Sequence, residues 1–254
     1  MNWKPGFKVN RCRKSLRLIF YVGIVLMLPQ ATFSWSGYGH TSMTNDALLI
    51  LVKMFNEDFN KMFLNELEFN ISEPDRNRII NHTDLLQCAS MINSLANKSG
   101  RMLHKNEDLQ KIMFTISQAT HYIEDLNNPQ HCSGYERGYH EDFEWIAVKG
   151  YWTDKSYDGF HYIKDYKIFA ENTCRFSRRY LKYTYELYRK YNEDLYRKVI
   201  TPLWAHAVND ILDLWLTILW NGFGERDYKA YGLPEPIGIR DSEKVNYERL
   251  RELE

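Results

Sequence analysis

The chain has 254 residues, of which 44% are hydrophobic, 26% charged and 15% aromatic, with seven prolines and thirteen glycines. That composition excludes disordered, collagen-like and low-complexity classes and is sufficient for one folded globular domain. Basic and acidic residues balance at 33 each, yet residues 1–34 hold six bases and no acid, leaving 27 bases against 33 acids in residues 35–254. An acidic domain lacks the footprint of a non-specific nucleic-acid binder and suits a protein that gathers cations.

The basic start is followed by the apolar run LIFYVGIVLML at residues 18–28, then by Pro29 and a small or polar stretch ending at Ser34. This is the order of regions in a secretory signal, and the apolar run is shorter than the roughly 18–20 residues that span a bilayer. Residues 1–34 are therefore expected to be a cleaved signal peptide, Trp35 the first residue of the mature chain, and the protein secreted or periplasmic, with an uncleaved signal anchor as the alternative reading of the same residues. The mature chain keeps Cys88, Cys132 and Cys174. Three cysteines permit one disulfide at most, and the spacing does not say which.

The mature part reads as a single all-α domain over residues 35–224, with no internal repeat and no interior linker rich in Pro, Gly or Ser. From Thr44 the run NDALLILVKMF starts with cap-like Thr and Asn and turns apolar, which predicts a helix beginning there. From Asp108, Leu109, Ile112, Met113, Ile116, Ala119, Tyr122 and Ile123 recur at steps of three and four and predict a core helix. A stripe of Tyr162, Tyr166, Phe169, Phe176, Tyr180, Tyr183 and Leu187 predicts further packed helix. Thr201-Pro202 then opens a very apolar helix suited to the centre of a bundle. After Gly224 the chain is charged and aperiodic, so residues 225–254 are expected to form a surface extension or tail.

The chemistry concentrates in His121-Tyr-Ile-Glu-Asp125-Leu-Asn-Asn-Pro129-Gln-His131, followed by His140-Glu-Asp-Phe-Glu144. On a helix, residues four apart lie on one face, so His121 and Asp125 can close on one ion, and His140 and Glu144 repeat the spacing. Pro129 breaks the first helix just beyond Asp125 and turns His131 back toward the second pair. Imidazole nitrogen with carboxylate oxygen is a zinc ligand set, and a His/His/Glu triple leaves a position for water or substrate. One such pair alone is commonly a surface ion pair, but two within 24 residues joined by a third His are hard to explain that way. His40 and His82 also have neighbours that suit coordination. His104, His161 and His206 read instead as a loop residue, a surface or pocket-rim residue, and a packed or capping residue on the last helix.

Trp35-Ser-Gly-Tyr-Gly-His40, HYIEDLNNPQH at 121–131 and His140-x-x-x-Glu144 together resemble the bacterial zinc-dependent phospholipase C family, related to the zinc-dependent single-strand-specific nucleases. The resemblance covers about residues 35–224. It implies an all-helical domain holding three zinc ions. One would take the amine and carbonyl of Trp35 with His40 and Asp125. A second would take His82, His121, an upstream aspartate and Asp125 as a bridge, and a third His131, His140 and Glu144. The upstream aspartate is placed at Asp75, which would also serve catalysis by accepting a proton from water, with Asp84 as a rival ligand. Glu124 stands where the family has a small residue and is expected to leave zinc content nearly intact when changed to Gln.

The resemblance implies a monomeric phosphodiesterase that cleaves the glycerol-side phosphate ester of a phospholipid, with peripheral contact to a membrane surface. Two alternatives accompany it. The spacing of Trp35 and His40 looks like that of the nucleases, which would make single-stranded nucleic acid the substrate. The other alternative is a non-catalytic helical binding module stapled by metal.

Overall fold

A computed structural model describes residues 36–54, 74, 80–133, 139–148 and 157–240. The expected signal peptide, Trp35, Asp75 and residues 241–254 lie outside that set. All described residues fall within one compact unit.

The described residues are mostly helical, as the periodicity predicts. Helix α1 spans Ser36–Val52, α2 Leu85–His104, α3 Leu109–Leu126, α4 His140–Val148, α5 Tyr166–Arg178, α6 Leu181–Arg189, α7 Glu193–Phe223 and α8 Glu225–Ala230. A turn of 3-10 helix at His131–Ser133 links α3 toward α4. Strands β1 (His161–Tyr162) and β2 (Gly238–Ile239) pair in parallel, His161 opposite Gly238 and Tyr162 opposite Ile239. None of the described helices is long and apolar enough to cross a membrane.

Helix starts follow their caps. Asp84 accepts from Leu86 N and Gln87 N at the head of α2, Asp108 from Lys111 N at α3, Asp165 from Lys167 N and Ile168 N at α5, and Asn192 from Leu195 N at α7. Each carboxylate or amide oxygen takes up a backbone N–H that the first turn leaves without an intrahelical partner. Two predicted starts move. The first helix begins at Ser36, upstream of Thr44, whose hydroxyl donates to Glu124 Oε1 at 2.9 Å instead of capping its own backbone. The central helix begins at Glu193, upstream of Thr201-Pro202, with Asn192 as its cap. Pro202 sits inside it, and the buried side chains of Tyr196, Val199, Ile200 and Leu203 carry the helix across the hydrogen bond that Pro removes. His104 is the last residue of α2, not a loop residue.

Helix α7, 31 residues long, is the axis around which the others pack; α1, α2, α3, α6, α8 and β1 all contact it. Leu212, Leu214, Trp215, Leu216 and Ile218 are wholly buried, so this segment has no solvent face, as expected of a central helix. Trp215 Nε1 donates to Thr120 Oγ1 at 2.7 Å and Trp204 Nε1 to Asp46 Oδ2 at 3.0 Å, tying α7 to α3 and α1. At Gly222 a Cβ would lie 2.5 Å from Leu103 Cβ, so only glycine lets α7 approach α2 this closely.

The cysteine choice left open by the sequence resolves as Cys132–Cys174, which joins the turn after α3 to α5, while Cys88 is a buried thiol. The link fixes the residue next to His131 to the bundle.

Residues 225–240, the described part of the expected extension or tail, are mostly exposed, with Tyr228, Leu233 and Arg240 buried. Loss of periodicity there reflects a short helix followed by extended chain that returns to the bundle: Ile237 N donates to Phe160 O at 2.8 Å and Arg240 N to Tyr162 O at 3.0 Å. The ladder carries Arg240 into the interior, where its guanidinium meets Asp158 at 3.2 Å, Asp210 at 3.0 Å and Asp213 at 3.3 Å. A guanidinium set among three acidic side chains, two of them fully buried, fixes this charged segment to the bundle.

Candidate metal centre

Every residue from Thr120 to Cys132 is buried. The C-terminal half of α3 therefore has no solvent face, and its polar residues must find partners inside the protein. They converge on Asp125.

Asp125 Oδ2 lies 2.7 Å from His82 Nδ1 and 3.2 Å from His121 Nε2. Its other oxygen, Oδ1, lies 3.6 Å from His40 Nε2 and 3.5 Å from His131 Nδ1. His40 comes from α1, His82 from the loop ahead of α2, His121 from the turn of α3 below Asp125, and His131 from the turn after Pro129. The rings of His40 and His121 stack at 4.1 Å between centroids. Ligand atoms of His40, His121 and Asp125 all lie within 4.8 Å of one another, close enough to hold one metal ion.

The second set is His131, His140 and Glu144, again within 4.8 Å and buried. His131 Nε2 and His140 Nε2 face each other at 2.8 Å, and Glu144 Oε1 is 2.8 Å from His140 Nε2 and 3.6 Å from His131 Nε2. Two imidazole nitrogens pointing at each other and at a carboxylate require a proton or a cation between them, since lone pairs at that distance repel. The two sets touch through His131, whose Nδ1 faces Asp125 and whose Nε2 faces Glu144.

The fit to a metal is tested best at His40. Its Nδ1 is 2.6 Å from Glu124 Oε2, while its Nε2, buried and without a hydrogen-bond partner, faces Asp125. A carboxylate on one ring nitrogen holds the proton there and turns the lone pair of the other toward the site, which is how metal-binding histidines are oriented. Burial, followed by the neighbouring His121, holds His40 well below its ordinary pKa, so the imidazole is neutral, the form that binds metal. Burial works to raise Asp125, but His121 and His131 outweigh it and keep the carboxyl well below its ordinary value. At Glu144 burial is likewise outweighed, by hydrogen bonding to His131 and His140.

Of the residues singled out in the sequence, the structure brings together His40, His82, His121, Asp125, His131, His140 and Glu144. Trp35 and Asp75 lie outside the described residues. Asp84 is removed as a rival ligand: both its oxygens serve the head of α2, Oδ1 accepting from Leu86 N and Gln87 N and Oδ2 from Gln87 Nε2.

Two residues emerge that pattern reading undervalued. Glu124 is fully buried, clamped between His40 and the Thr44 hydroxyl, which lie one turn apart on α1. Asn128 donates through Nδ2 to Glu144 Oε1 at 2.8 Å, while its Oδ1 accepts from Gln130 N at 3.0 Å. The sequence signal for both is the same: consecutive polar residues on all faces of a segment that also carries ligands. The expectation that Glu124→Gln leaves metal content intact is therefore revised. The amide cannot accept from His40 Nδ1 with a full charge, and loss of such an outer partner typically costs about 10- to 100-fold in metal affinity. Competition with a chromogenic chelator should show that loss, and an unchanged affinity would mean that Glu124 does not orient His40.

Compared with known protein families and with curated proteins, the chain has no match.

Proposed function

We propose that the protein is a secreted zinc-dependent phosphodiesterase of the phospholipase C and nuclease type, acting on the glycerol-side phosphate ester of phospholipids. One observation carries the proposal: two buried His/His/carboxylate sets, His40/His121/Asp125 and His131/His140/Glu144, meet around the single carboxylate of Asp125. The ligand types suit zinc, and among the described residues each set groups three protein ligand atoms, the number that a catalytic zinc site takes from the protein.

Zinc in these sites would supply Lewis acidity, offsetting charge on a phosphoryl group and making hydroxide accessible near neutral pH. The protein's own residues do the rest. Glu124 holds the Nδ1 proton of His40 and fixes the ring. Asp125 concentrates negative charge between the two sets, which lets cations sit near each other. Asn128 keeps the Glu144 carboxylate turned toward His140. Asp75 remains the proposed acceptor of the proton released from water.

The assay uses the whole protein with phosphatidylcholine micelles and with single-stranded DNA, each with chelator and after zinc is restored. Phosphocholine release that disappears with chelator and returns with zinc is the expected result. Zinc-dependent cutting of DNA without lipid hydrolysis would transfer the proposal to the nuclease reading, and zinc binding without either activity would leave a metal-stapled module.

A further inference from the structure

Outside the metal centre, the largest departure from the acidic character of the domain lies at the end of α5 and along α6. Residues 175–190 contain six bases and one acid, whereas the rest of residues 35–254 holds 21 bases and 32 acids. The bases are exposed: Arg178 and Arg179 end α5, Lys182 and Arg189 lie on α6, and Lys190 follows it. Helix α6 buries Thr184 and Leu187 and turns Lys182, Tyr185 and Arg189 outward at steps of three and four.

Large aromatic rings share this surface. Tyr185, Tyr188 and Tyr191 are 46%, 44% and 59% exposed, an unusual amount of ring for one short segment to leave in solvent. Their faces are partly taken. Tyr188 stacks on Tyr139 at 5.1 Å, and the Arg189 guanidinium lies 5.7 Å from the Tyr185 ring centre. Rings that use their faces on neighbours are poor platforms for stacking nucleobases, which is how single strands are held. Exposed tyrosine rings among Lys and Arg match the belt that sits at the headgroup level of a bilayer.

The patch also has a position. Tyr139, on which Tyr188 stacks, directly precedes the ligand His140, and α4 packs against α6. A surface held by α6 would therefore lie beside the second ligand set.

We propose that the basic tyrosine face of α6 docks the protein onto the headgroup layer of an anionic phospholipid bilayer. The inference rests on the phospholipid reading for its choice of surface and concerns binding alone, so it can be tested without turnover. Charge complementarity is the main argument: each Lys or Arg near an anionic leaflet contributes about 1 kcal/mol, or about fivefold in affinity.

The test is cosedimentation of the full-length protein with vesicles of phosphatidylcholine containing phosphatidylserine, with pure phosphatidylcholine vesicles, and with a fluorescent single-stranded oligonucleotide added instead of lipid. The wild type should bind the anionic vesicles, and more weakly as salt is raised. The K182E/R189E/K190E variant should bind them at least about 100-fold more weakly, with unchanged thermal midpoint and unchanged hydrolysis of a monomeric short-chain phosphodiester. A second variant, Y185S/Y191S, keeps the charge and should weaken binding to anionic vesicles severalfold. No binding by the wild type, equal binding by the charge-reversed variant, or tighter binding to the oligonucleotide that the variant loses would each overturn the proposal. Vesicle binding by a protein that hydrolyses no lipid would leave the docking face standing and remove the phospholipase reading alone.

Discussion

Asp125→Asn is expected to be the most damaging single substitution in the protein, removing metal from the first ligand set and hydrolysis with it. The amide keeps the shape and some hydrogen bonding of the carboxylate but not its charge. That charge faces four histidines, His82 at 2.7 Å, His121 at 3.2 Å, His131 at 3.5 Å and His40 at 3.6 Å, so no neighbouring side chain can substitute for it. Loss of an outer partner alone costs about 10- to 100-fold in metal affinity or activity, and loss of a ligand shared between sets should exceed the upper figure. Metal analysis and turnover of the purified variant should fall together, while Glu124→Gln shows the smaller loss already described. A variant that retains full metal and activity would place the centre elsewhere, and Glu124 proving the more damaging of the two would mean that the histidines are organised around the wrong carboxylate.

Arg240→Met is expected to cause the largest loss of stability away from the metal centre, about 3–5 kcal/mol at pH 7, because it leaves buried carboxylates without their cation. The pH dependence gives this prediction a distinctive signature. Burial works to raise Asp210, but His206 and then Arg240 outweigh it and hold the carboxyl below its ordinary value. Its contribution is therefore present above the unfolded-state pKa and lost as pH falls through the lower folded value. Asp213 is held well above its ordinary value, chiefly by burial, so its contribution is present at low pH and lost as pH rises through the folded value. Removing the guanidinium moves both folded values upward. The gap between variant and wild type should then narrow from pH 7 to pH 5, as protonation neutralises the carboxylates that Arg240 had compensated. Urea unfolding at the two pH values reads it directly. An equal gap at both would mean that Met fails through packing and not through charge.

The candidate metal centre is more legible in the sequence than the frame that supports it, and the reason is range. His121 with Asp125 and His140 with Glu144 are each four apart, so helical geometry alone puts them together, and Pro129 accounts for the turn that returns His131. The helix from Leu109 was readable because its apolar residues keep the period until Ile123. Glu124 was undervalued because its partner His40 is 84 residues away and nothing local reports the contact. Thr44 imitated a helix cap, since a Thr before an apolar run looks the same whether its hydroxyl serves its own backbone or a distant carboxylate. Asp84 illustrates the reverse: as a carboxylate two residues from a ligand histidine it looked like a ligand, but it precedes a helix and its oxygens are taken by the first turn. Arg240 is one base in an aperiodic stretch, and its role depends on a two-residue strand pairing that no periodicity announces.

Whether the two buried sets hold metal ions is read by elemental analysis of the whole protein, purified without chelator or affinity metal, with zinc measured against sulfur in the same sample. More than one zinc per chain is expected, with separate partial losses in His140→Ala and His121→Ala. A zinc content well below one per chain, or a content that neither substitution changes, would mean that His40/His121/Asp125 and His131/His140/Glu144 are not metal sites.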